Sequence, residues 1–150
     1  MDIFETYGHA LQILGYVALS MALGAVVGFE REVVDKPAGL RTHMLVAGAT
    51  ALLVALGGTI VDGFQEELGG NLVQADPIRI IEAVITGVSF LGAGTILRRR
   101  GKLEVEGLTT AASLLFVAAL GVSVALSQGV LAVGATVLVL VTLRGLKLIE

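Results

Sequence analysis

LTTAASLLFVAALGVSVALSQGVLAVGATVLVLVTL, residues 108–143, runs for thirty-six positions without a Lys, Arg, Asp or Glu. A helix needs about 20 mostly apolar residues to cross the hydrocarbon of a bilayer, so this run is long enough for two crossings. Ser127-Gln128-Gly129 breaks it with the polar and glycine residues of a tight reversal. The stretch reads as a membrane hairpin, one helix near Leu108–Leu126 and the next near Val130–Lys147.

Similar runs recur nearer the N-terminus, near Leu11–Phe29, Thr42–Val61 and Arg79–Leu97. At 1.5 Å per residue, 18 to 20 residues measure about 30 Å, the thickness of the hydrocarbon core. The 150 residues are 55% hydrophobic and 15% charged, against about a quarter charged in soluble domains. Mean hydropathy is +0.91. This excludes a soluble enzyme domain, a disordered tail and a nucleic-acid module with a basic face. With no cysteine, disulfides, thiolate metal sites and thiol nucleophiles are excluded as well. The expectation is an all-α membrane protein of five transmembrane helices, a single domain over residues 1–150.

Lys and Arg orient it, because short cytoplasmic loops carry the excess of positive charge. Arg31, Lys36 and Arg41 follow the first helix, Arg98, Arg99, Arg100 and Lys102 follow the third, and Arg144 and Lys147 close the fifth. The opposite side carries Asp2, Glu5, Asp62, Glu66, Glu67 and Asp76, with Arg79 alone at its edge. The N-terminus is expected outside and the C-terminus in the cytoplasm. Asp2 and Glu5 occupy what would be the basic region of a signal peptide, so the first helix reads as a retained anchor. Gly63–Gln74 is the one sizeable outer loop. Phe64, Leu68 and Leu72 recur in it every four residues, which leaves a solvated loop and a surface helix both open.

A shift of 68 residues lays Leu23-Gly24-Ala25 on Leu91-Gly92-Ala93, Gly39-Leu40 on Gly107-Leu108, and Thr42 on Thr110. A parallel repeat of helices 1–2 and 3–4 and a coincidence of composition are both compatible with it. Gly24 and Gly28, and the ladder Ala47, Ala51 and Ala55, are surfaces for close helix packing. Gly87, Gly92 and Gly94 thin the third helix enough to predict a kink or short unwinding.

Among ionisable residues, Glu30 and Arg41 bracket the first cytoplasmic turn and can face each other. Thr42, Thr109, Thr110, Gly92 and Gly94 fall at the same membrane face, either as a shared site or as caps and packing positions. Glu82 is the acid well inside a span, with Arg79 three residues before it, so a local salt bridge and a proton or cation relay are both open. His9 and His43 fall on opposite sides, which prevents one subunit from using both on one metal.

Four blocks, Gly28-Phe29-Glu30-Arg31-Glu32, Lys36-Pro37-Ala38-Gly39-Leu40-Arg41-Thr42-His43-Met44-Leu45-Val46, Phe90-Leu91-Gly92-Ala93-Gly94-Thr95-Ile96 and Gly107-Leu108-Thr109-Thr110-Ala111-Ala112, occur in order across the chain. In these it resembles the MgtC/SapB family of bacterial inner-membrane proteins. The resemblance implies five membrane helices with the N-terminus outside. It also implies a link to growth under magnesium limitation and, in pathogens, to survival inside host cells. Family members are thought to act on other membrane complexes and on the ionic state of the cell. The matching blocks carry over Glu30, Arg41, Thr42, Gly92, Gly94, Thr109 and Thr110 as functional positions. Ser89 stands where the family often has glycine. The MgtC branch adds a cytoplasmic ACT-like domain, so this sequence, ending at Glu150, reads as a short form.

The expectation is a non-enzymatic modulator of magnesium-linked homeostasis in the bacterial inner membrane, without a cofactor. It would work as a homodimer or other homo-oligomer, in contact with lipid and another inner-membrane complex but not with nucleic acid. The alternative is an oligomeric transporter or channel for a small solute or cation.

Overall fold

The computed structural model describes residues 3–68, 77–98 and 105–145. Within them lie α1 (Ile3–Val33), α2 (Leu40–Leu68), α3 (Pro77–Thr95), α4 (Leu108–Ala125) and α5 (Gly129–Gly145). A two-stranded antiparallel ribbon, β1 (Leu97–Arg98) with β2 (Val105–Glu106), joins α3 to α4, pairing Leu97 with Glu106 and Arg98 with Val105. Four helices, over Tyr7–Val33, Leu40–Gly63, Ile78–Thr95 and Leu108–Ala125, are long and apolar enough to cross a membrane, and α5 is a shorter apolar helix of 17 residues.

Two expectations need correction. The helix α2 does not stop before Gly63 but continues to Leu68, taking the first half of the expected outer loop; residues 69–74 lie outside the described residues. The helix α3 runs unbroken through Gly87, Gly92 and Gly94, which overturns the short unwinding that their density suggests. Each glycine weakens a helix by about 1 kcal/mol, but a break in lipid strands backbone groups that cost several kcal/mol each, so the helix persists.

The reversals are built by capping. At the end of α1, Asp35 takes a left-handed conformation (φ 54). Its N–H donates to the Glu32 carbonyl and the Lys36 N–H donates to the Arg31 carbonyl, both at 3.0 Å, the paired bonds of a Schellman motif. Pro37 follows, and the Glu32 carboxylate accepts the Leu40 N–H at 2.7 Å, placing an anion at the positive end of α2. The α4–α5 reversal repeats the motif: Ser127 has φ 61, and the N–H groups of Ser127 and Gln128 donate to the carbonyls of Val124 and Ser123. Gly107 (φ 95) starts α4, where a Cβ would run into the Thr95 carbonyl.

The helix α4 packs against each of α1, α2, α3 and α5, and Leu114, Val117, Ala118, Leu120 and Val124 on it are almost fully buried. Small residues let the backbones meet. A Cβ at Gly24 would lie 2.6 Å from the His43 carbonyl oxygen, one at Gly28 would lie 2.8 Å from Leu40 Cα, and one at Gly121 would strike the Ala47 carbonyl. Gly24, Gly28 and Ala47 thus form the packing seam their spacing predicts. Large apolar side chains meanwhile point outward, Phe90 at 81% and Val130 at 91% exposure. That surface is suited to lipid.

Candidate functional site

The α1–α2 turn, the β1–β2 ribbon and the C-terminal end of α5 lie at one end of the bundle. This basic end carries Arg31, Lys36, Arg41, Arg98 and Arg144. Here five polar side chains on three helices are withdrawn from solvent: Glu30 and Arg31 on α1, His43 on α2, and Thr110 and Ser113 on α4, none more than 3% exposed.

Glu30 and Arg31 are neighbours in sequence, which ordinarily point about 100° apart on a helix. Their long side chains nevertheless converge, with Arg31 Nε and Nη2 each 2.5 Å from Glu30 Oε2. Glu30 also lines a cavity of about 530 Å³ bounded by Ala25, Val26, Phe29, Leu40, Leu140 and Arg144.

His43 is fully buried because Gly28 lets α1 approach it, a Cβ there falling 2.9 Å from His43 Cβ. Its Nδ1 lies 2.9 Å from the Gly39 carbonyl oxygen. A carbonyl only accepts, so Nδ1 donates. Its Nε2 lies 2.9 Å from Ser113 Oγ, which is in turn 2.8 Å from the Thr110 carbonyl oxygen. Serine has one hydroxyl hydrogen. If Ser113 gives it to Thr110, the imidazole must donate at Nε2 and be charged; if it goes to Nε2, the ring is neutral. The two arrangements differ by one proton. The Thr110 hydroxyl is buried and, like that of Ser20, has no hydrogen-bond partner among the described residues, an expense that folded proteins rarely leave in place without a role.

The expected site is thus redrawn. Glu30 and Thr110 belong to the cluster. Gly92 is buried against Ala111, a Cβ there falling 3.3 Å from Ala111 Cβ. Arg41, Thr42, Thr109 and Gly94 are exposed. Arg41 is not the partner of Glu30, because Arg31 already holds that carboxylate inside the bundle. No ion pair joins Arg79 to Glu82 among the described residues; both side chains are exposed near the N-terminal end of α3 and each is free to reach water. Arg31, His43 and Ser113 were missed. The available signal was a histidine inside an apolar span, four residues after Gly39, since ionisable groups at such depth are functional by default.

The fold and its buried polar end define a polytopic helical membrane protein. The MgtC family model matches residues 17–150. The chain belongs to the MgtC family. It is 36% identical to SrpB of Synechococcus elongatus over 99% of this chain and 82% of that protein. It is 37% identical to YhiD of Escherichia coli K12, named as a candidate magnesium transporter, over 88% of this chain and 59% of that protein. With MgtC of Salmonella typhimurium it shares 38% identity over 81% of this chain and 46% of that protein. Apart from SrpB, the chain thus spans about half the length of these relatives. No solved structure matches it.

Proposed function

We propose that this protein is a non-enzymatic modulator of magnesium-linked ion homeostasis in the bacterial inner membrane. It acts through the buried cluster Glu30–Arg31–His43–Ser113–Thr110 at its cytoplasmic face and works as a homo-oligomer. The single observation that carries the reading is the burial of an ion pair and a histidine, with two hydroxyls beside them, at one end of a bundle whose other buried polar side chains, Ser20, Thr50 and Thr136, are uncharged. Ionisable groups are costly at membrane depth and mark functional sites there by default. The names of the relatives support the link to magnesium. The excess of Lys and Arg at the cluster's end supports a cytoplasmic orientation, with the N-terminus outside.

The test pairs sealed vesicles with cells. Purified protein in vesicles is expected to give no magnesium flux above empty vesicles. In cells lacking the native gene, Glu30→Gln and Ser113→Ala, expressed to matched protein abundance, are expected to abolish growth at low magnesium. Magnesium flux in vesicles that is lost in Glu30→Gln would overturn the modulator reading in favour of transport. Full growth of both variants would remove the cluster as the working site.

A further inference from the structure

Between α2 and α3 runs an open groove of about 950 Å³. Its walls are apolar apart from Thr50 and, at one end, Arg79. Along α2 it extends from Leu45 to Val61, an advance of about 24 Å, most of the roughly 30 Å of hydrocarbon. At Gly87, part-way along its α3 wall, an added Cβ would meet nothing within 4 Å, so the slot there is space and not a packed seam.

Arg79 is the feature that says what fills it. The other basic residues gather at the opposite end of the bundle by the sequence pattern, and Arg79 stands apart from them. It is exposed and makes no ion pair with Glu82. The N-terminal end of α3 beside it adds the positive pole of a helix dipole. A guanidinium at headgroup depth, closing a long apolar slot, matches a molecule with an anion at one end and hydrocarbon along the rest. A guanidinium also takes phosphate in bidentate geometry.

We propose that the α2–α3 groove is a phospholipid site, with an acyl chain lying along Leu53, Leu56 and Gly87 and the phosphate held by Arg79. The full chain, purified in mild detergent from membranes, is expected to retain about one phospholipid per chain, read by native mass spectrometry and total phosphorus. Arg79→Gln is expected to lower occupancy about tenfold, as loss of one charge-assisted contact implies. Gly87→Phe, which fills the slot and leaves Arg79 in place, is expected to expel the lipid. Gly134→Leu, on α5 with equally open space around its Cβ, is expected to retain it. Should Arg79→Gln fail to fold, Gly87→Phe alone decides. Wild-type occupancy in Arg79→Gln and Gly87→Phe would overturn the proposal. So would disulfide capture of a second copy through Leu53→Cys, which would give the groove to another chain.

Discussion

Exchange Glu30 for leucine and the Arg31 guanidinium remains inside the bundle, 3% exposed, with its counter-charge gone. The contact it loses is a nitrogen–oxygen separation of 2.5 Å. With charge centres about 4 Å apart and an effective dielectric constant near 20, the attraction is about 4 kcal/mol. That agrees with the roughly 3–5 kcal/mol that removal of one partner from a buried pair costs. Arg31→Met should cost a similar amount by stranding the carboxylate. The double variant strands nothing and replaces two charges by apolar groups of comparable length, so its net cost is expected to be about 1 kcal/mol or less. The assay is unfolding in mixed micelles followed by helical circular dichroism, run as a double-mutant cycle. The same three variants are then tested for growth at low magnesium. The double variant is expected to recover stability and still fail to support growth. If the two single costs simply add in the double, the charges do not depend on each other and the argument fails. If the stable double variant grows like wild type, the pair is structural and no more.

Three further outcomes follow from the same geometry. Ser113→Ala leaves His43 Nε2 buried without its 2.9 Å contact and is expected to cost about 1–3 kcal/mol in the same unfolding assay. Asp35→Gly and Ser127→Gly relieve left-handed backbone at the two Schellman reversals and are each expected to raise stability by about 0.5–1 kcal/mol. Gly121→Val drives a side chain into the Ala47 carbonyl and is expected to cost about 2–4 kcal/mol and lower the yield of folded protein.

The helices were legible because lipid imposes a single rule on a long apolar run. The α4–α5 reversal was legible because Ser127-Gln128-Gly129 is the one polar break in its stretch. The length of α2 beyond Gly63 was not, because a helix that leaves the hydrocarbon becomes polar on its surface and looks like a loop. The site was half visible. Glu30 and Thr110 stood out as polar residues near span ends, but spacing suggested Arg41 as the acid's partner. Adjacent residues seldom pair on a helix, so Arg31 was passed over. Ser113 carries no signal of its own; only the crossing of α2 and α4 brings it to a histidine 70 residues away.

The position of α4 in the chain sets the timetable of assembly. This helix touches all the others, yet it follows α1, α2 and α3 in the chain and is made only after them. During synthesis, α1 and α2 can dock through Gly24 and Gly28 as an early hairpin, while α3 has little to rest on. His43 enters the bilayer long before Ser113 exists to meet it. A ribosome halted after α3 would therefore leave in the membrane an unfinished chain whose His43 Nε2 has lost its α4 partner, the kind of species that quality-control proteases remove.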